Sequence, residues 1–213
     1  NTTNKWYKIP FTGTNWVETK GGSSVYWIDV RDYGAKGDST GTGVDGTDDT
    51  IAIQAAIDAV EAIGKGTVYF PVGIYRITNG LTVKQSFIVL QGAAREISII
   101  YASYTGATPV IQFKKAEGLQ IWNSGLNNLT IRGGTIYRPA IGLELDYATG
   151  SRLSSLLING FYKCGINSLT VWETDADNVK IMNVGQFGDS TTGVMNFGSS
   201  SAHPGRCTQS TFV

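Results

Sequence analysis

Histidine and cysteine are almost missing from this chain of 213 residues, which has one His (His203) and two Cys (Cys164 and Cys207). Two cysteines make no disulfide framework; the sequence does not say whether they pair, and thiols are the expectation. With no second histidine and no Cys-x-x-Cys, neither a zinc site nor a histidine-centred nucleophile triad has support. Charge of one sign is missing too: 17 basic residues balance 17 acidic ones. That leaves no electrostatic footprint for nucleic acid or an anionic membrane surface. No apolar run approaches the roughly 20 residues of a membrane span, so membrane insertion is not expected. No secretory leader is visible. Proline is scarce, at 5, against 27 glycines. A Gly-rich, β-branched, weakly charged chain favours an all-β fold with many turns.

Residues 1–27 are polar and aromatic, with Trp6, Tyr7, Trp16, Tyr26 and Trp27 around Gly21-Gly22-Ser23-Ser24. They are expected to form an arm or lead-in, serving either as a docking surface or as packing against the first coils of the main domain. The main domain is expected over residues 28–213. It opens with Val30-Arg31-Asp32-Tyr33-Gly34-Ala35-Lys36-Gly37-Asp38, then Gly46-Thr47-Asp48-Asp49-Thr50. Residues 50–63 carry helical periodicity: Ile53, Ile57 and Val60 form one stripe, with Ala52, Ala56, Ala59 and Ile63 beside it. Asp49 is the expected N-cap, Asp48 adds favourable charge at the helix start, and Gly64 is the stop.

Short strands come next. They are expected at Thr67–Phe70, Ile74–Ile77, Leu81–Val83, Phe87–Gln91, Ile97–Tyr101 and Val110–Phe113. From residue 119 two interleaved patterns recur. Ile131, Ile158 and Ile181 mark one, at spacings of 27 and 23; Gly142, Gly165 and Gly193 mark the other, at 23 and 28. A shared period in this range signals a solenoid. Several short strands and no helix per repeat predict a parallel β-helix, with coils about 4.8 Å apart. Leu143, Leu145, Ile166, Ile131, Ile158 and Ile181 are the expected inward ladders, because one coil cannot bury its own inner face. The helix is the expected lid on the N-terminal edge. The repeat persists to residue 197 and a short polar tail ends the chain, so truncation or coverage by a partner chain is expected at that end.

The entry run, continued by Gly66-Thr67-Val68-Tyr69-Phe70-Pro71-Val72-Gly73-Ile74-Tyr75, resembles the start of the pectate-lyase-like right-handed β-helix proteins. That superfamily includes phage tailspikes and many polysaccharide-degrading enzymes. The resemblance implies an extracellular or virion protein, a homotrimer, and a bacterial surface or extracellular polysaccharide as partner. It carries no shared catalytic motif onto the later coils.

Candidate chemistry therefore rests on the residues themselves. Asp38, Asp45, Asp48 and Asp49 lack the ligand spacing of an EF-hand loop, and structural capping is expected there rather than metal binding. Glycoside hydrolysis needs two carboxyl groups, about 5–5.5 Å apart for retention and about 6.5–9.5 Å for inversion. Glu144 and Asp146 alternate on one strand, so their Cβ atoms lie roughly 6.5–7 Å apart on one face. Glu173, Asp175 and Asp177 form a second alternating set. Shifting Gly150 by one 23-residue repeat lands on Glu173, so the two sets are expected to border one groove. Trp172 and Tyr147 adjoin them as candidate sugar platforms, with packing as the alternative. A lyase would need a base, for which Lys163, Lys180, Arg152 and Arg138 are available, and a cation such as Ca²⁺ on a uronate. Asn128-Leu129-Thr130 matches a glycosylation sequon and is expected to lie in a coil strand.

Three functions compete: a tailspike or tail-fibre depolymerase, hydrolase or lyase; a secreted monomeric pectinase-like or glucanase-like enzyme; and a non-catalytic glycan-binding or structural virion module.

Overall fold

The computed structural model describes residues 7–185 except 12, 21–22, 117–118 and 135, together with the strands Gly193–Gly198 and Thr208–Phe212. Of residues 7–25 and those last two strands, only the backbone and its pairing are described. His203, Cys207 and Trp6 lie outside the described residues.

The chain folds as a right-handed parallel β-helix built from three long ladders. The first runs through Ser23–Asp29, Gly66–Phe70, Ile88–Gly92, Gly125–Asn127 and the front halves of Arg152–Asn159 and Trp172–Met182. The second runs through Gly73–Ile77, Ser98–Ala102, Thr130–Gly133 and the back halves of those two long strands. The third runs through Leu81–Val83, Ile111–Phe113, Ile141–Asp146, Cys164–Leu169 and Gly193–Gly198. A short fourth ladder links Ile121–Trp122, Ala148–Thr149 and Trp172 at the corner between the third and the first. Each predicted strand appears within one residue of its expected bounds.

The inner rows are apolar and in register. Ile28, Val68, Leu90, Leu126, Leu153 and Ala176 stack along the first ladder, all buried. Along the second, Tyr75, Ile100, Ile131, Ile158 and Ile181 stack, so the isoleucine spacing of 27 and 23 residues is the coil length there. Each fully buried Ile or Leu contributes about 1.5–3 kcal/mol relative to exposure. No single coil could supply this, because the inner face of each is completed by the next.

The glycine spacing needs one correction. Gly142 and Gly165 share a register position, but Gly193 pairs with Cys164, not Gly165. Ile166 pairs with Met195 and Asn167 with Asn196. Pairing glycine with glycine would slip the strand by one residue and exchange its inner and outer rows.

The helix Thr50–Ile63 packs against the first turns of the solenoid through Ile53, Ala56, Ile57 and Val60. Ile63 faces water instead. Gly64 ends it in the left-handed conformation (φ +90°), its N–H bonded to the carbonyls of Val60 and Glu61. The N-terminal cap differs from expectation. Asp49 occupies the N-cap position but makes no side-chain bond to the helix. It is buried and accepts from the Lys36 N–H at 2.7 Å and the Gly37 N–H at 3.0 Å, tying down the entry loop. Asp48 does the capping, accepting from Thr50 N–H at 3.1 Å and from Thr78 Oγ1 at 2.6 Å. Asn128 is not in a strand but in a left-handed bend (φ +53°) between Gly125–Asn127 and Thr130–Gly133.

Candidate functional site

Glu144 and Asp146 lie on the outer side of the third ladder, as their alternation with the inward Leu143 and Leu145 requires. The exposures of only 8% and 6% come with polar partners from adjacent coils. Glu144 accepts from Gln112 Nε2 and, at 2.8 Å, from Asn167 Nδ2. The Asp146 Oδ2 atom lies 3.3 Å from Lys114 Nζ, while its Oδ1 is buried without a hydrogen-bond partner among the described residues.

The second acidic set belongs to another face. Asp175 and Asp177 are exposed on the outer side of the first ladder, because Thr174 and Ala176 point inward. Asp175 is in register with Arg152, and Asp177 with Ser154. Glu173 sits at the preceding bend in a left-handed conformation (φ +51°), one coil above Gly150 (φ +63°). The 23-residue shift from Gly150 thus holds. The expectation of one shared groove does not, because the short fourth ladder and two left-handed bends separate the sets. The first bend carries Tyr147 and Thr170, the second Asn123, Gly150 and Glu173. A single sheet face would have been needed to join them.

Tyr147 is buried at that first bend rather than presented to solvent. Trp172 is half-buried and in register with Thr149, which is in register with the exposed Trp122. The two residues are two rungs apart on one edge, about 9.6 Å by strand spacing. Trp122 escaped the sequence reasoning, although the same repeat step connects it to Trp172.

Beside this edge the outer side of the first ladder is grooved. The groove has a volume of about 460 Å³ and is bordered by Val89, Asn123, Gly125, Asn127, Arg152 and Ser154. Gly125 makes the depression: a Cβ there would lie 1.9 Å from the Arg152 carbonyl oxygen, so the coils approach too closely for any side chain. Asn127 donates to Gln91 at 2.8 Å, fixing the amides along one wall. The groove itself offers one guanidinium and fixed amides; the exposed Asp175 and Asp177 stand one rung above its Arg152 and Ser154, and the tryptophan edge lies across the bend at Asn123 and Gly150. Such a set can hold a hydroxyl-rich ligand and move protons at its edge.

The entry-loop aspartates are committed elsewhere. Asp38 accepts from Thr47 N–H and Oγ1 at 2.7 and 2.9 Å, and Asp45 from Thr40 N–H at 2.5 Å. Those backbone bonds hold both carboxyls below the ordinary carboxylate range. Burial pushes the Asp48 carboxyl up, but hydrogen bonds from Thr50 and Thr78 and the charge of Arg76 outweigh it, leaving it low. Burial raises Asp49 despite its two backbone donors. Among the described residues no three His, Cys, Asp or Glu side chains converge on a possible metal position. No helix among them is long and apolar enough to cross a membrane.

A family model described as rhamnogalacturonase A/epimerase, pectate lyase-like, matches residues 27–195. The chain belongs to this family. A mannuronan C5-epimerase of Azotobacter vinelandii is 36% identical over 113 residues, which is 50% of this chain and 6% of that protein. A capsule KN3-specific depolymerase of Klebsiella phage KN3-1 is 23% identical over 175 residues, 76% of this chain and 21% of that one. The solved structure of ORF18 from Geobacillus virus E2 superposes with a TM-score of 0.71 at 22% identity, over 93% of this chain and 47% of that chain. The last likeness concerns the fold alone. The chain thus spans a small part of the curated relatives it matches.

Proposed function

We propose that this chain is the polysaccharide-engaging β-helix of a phage tailspike-type depolymerase, acting outside the cell on a bacterial surface glycan as part of a homotrimer. Family membership and the likeness to a capsule depolymerase and a mannuronan epimerase support an acidic polysaccharide as substrate. The observation that carries the reading is the Gly125 groove, with Asp175 and Asp177 exposed beside Arg152 at its edge.

In this reading Asp175 and Asp177 are the carboxyl pair. Alternation on one strand sets their Cβ atoms roughly 6.5–7 Å apart, near the separation of about 6.5–9.5 Å used for inversion. One gives a proton to the leaving oxygen, and the other takes one from water. Trp172 and Trp122 offer apolar faces to successive sugar rings. Residues 1–27 lead into the domain, and Trp27 already packs on Tyr69 of the first coil, ring centroids 5.4 Å apart. If the reaction is an elimination, Arg152 is the base, since Lys180 sits in register with Leu157 on the second ladder, away from this groove, and a cation such as Ca²⁺ on the substrate carboxylate supplies charge neutralisation. Glu144 and Asp146 are the second candidate pair, with Lys114 beside them.

The test is release of reducing ends from capsular polysaccharides and from mannuronan, with absorbance near 235 nm recorded to detect elimination. Asp175→Asn and Asp177→Asn should each abolish product while preserving the circular dichroism spectrum. Full activity in both variants sinks this assignment. Glu144→Gln and Asp146→Asn then decide whether the third-ladder pair does the chemistry. Binding without product by the native chain would favour a glycan-binding module, and a monomer in sedimentation would favour a secreted enzyme.

A further inference from the structure

A second groove, of about 400 Å³, opens on the outer side of the second ladder. Arg132, Arg138, Asn159 and Asn183 line it, and Gly41 and Thr42 of the entry loop form its rim. Arg132 and Asn159 are register neighbours, and Asn183 follows Met182, the neighbour of Asn159 one coil on. The polar groups therefore come from stacked coils at one height on the face.

Both arginines are half-buried, and their guanidiniums are held by neutral groups. Arg132 lies over the Tyr101 ring, 5.4 Å from its centroid, and donates to the Gly41 carbonyl at 3.3 Å. Its Nε is buried with no hydrogen-bond partner among the described residues. Arg138 donates to the carbonyls of Phe161 at 3.1 Å and Asn183 at 3.0 Å. Among the described residues, neither has a carboxylate within ion-pair distance, and no acidic residue lines the groove. Gly41 admits this arrangement: a Cβ there would lie 1.6 Å from Arg132 Nη2. Asn183 donates to Asn159 at 2.8 Å, so the Asn159 amide N–H groups stay available to a ligand.

Two partly desolvated cations without a counter-ion are costly unless an anion completes them. Forked guanidinium donors match the planar oxygens of a carboxylate better than they match a hydroxyl. We propose that this groove is a second glycan site, taking the carboxylate of an acidic sugar residue on Arg132 and Arg138, with Asn159 donating to a ring hydroxyl. It lies on a different face from the Gly125 groove and rests on its own side chains, not on catalysis there.

Calorimetric titration of the whole chain with trigalacturonate, at low salt, tests it. Saturable binding is expected, weakened about tenfold or more by Arg138→Gln, with no binding of the neutral cellotriose. If Arg138→Gln fails to fold, since two carbonyls lose their donor, Arg132→Gln gives the same measurement. Absent binding overturns the proposal, and so does binding undiminished in a folded variant. Inorganic phosphate binding as tightly as trigalacturonate would mark a free-oxyanion site and overturn the glycan assignment. Binding lost in Arg152→Gln but kept in Arg138→Gln would place the ligand in the Gly125 groove and overturn it equally.

Discussion

Glu173 stands one coil above Gly150, and both adopt the left-handed backbone conformation, at φ +51° and +63°. Asn123, one coil below, does the same at φ +49°. The bend is imposed by the stack, and each residue there takes the conformation whatever its propensity. For glutamate this costs roughly 1–2 kcal/mol, which glycine avoids.

Glu173→Gly is therefore expected to be neutral or stabilising by up to about 1 kcal/mol. The urea midpoint reads this directly. A large destabilisation would show that the Glu173 side chain makes contacts that outweigh its backbone strain.

The entry loop makes stability pH-dependent. A carboxyl held low in the fold stabilises above its unfolded pKa, and that stability is lost as pH falls through the folded value. Asp38, Asp45 and Asp48 are of this kind. Asp49, held high by burial, acts oppositely: its contribution is present at low pH and is lost as pH rises through its folded value. Melting temperature should thus fall as pH drops below about 4. Asp38→Asn should fall less over the same interval. Parallel curves for the two proteins would show that Asp38 does not contribute to this pH dependence.

Ile158 is fully buried between Ile131 and Ile181. Ile158→Ala should cost about 2–5 kcal/mol, because the rigid stack above and below cannot collapse onto the cavity. Asn159→Ala, one residue on but facing out, should cost less than about 1 kcal/mol. Chemical denaturation of both variants measures the contrast.

Gly125 is both groove floor and coil spacer. Gly125→Ala would press a methyl against the Arg152 carbonyl oxygen, which is expected to cost at least about 1–3 kcal/mol. It should also weaken glycan binding at that groove, as calorimetry on the folded fraction would reveal. Unchanged stability would mean that the coils separate easily there.

Much of the architecture was legible because its causes are local and periodic. The helix follows from the stripe of Ile53, Ile57 and Val60, its end from Gly64, and the coil length from the isoleucines at 131, 158 and 181. Exact pairing was less legible: Gly193 pairs with Cys164 because two-residue alternation, not glycine spacing, sets the register.

The solenoid follows from the residue pattern alone, since repeated apolar rows can be buried only by stacking on one another. The same pattern identifies the carboxylates and the Gly150-to-Glu173 step. Which of these groups share a surface depends on how the coils turn their corners in three dimensions. Asp146 and Asp175 are candidates of one chemical type, yet the bends at Tyr147 and Gly150 turn the chain through a corner and put them on different faces. Likewise Gly41 reaches Arg132 across 91 positions of sequence, a contact no local pattern encodes, because it depends on how the entry loop folds over coils that come later in the chain.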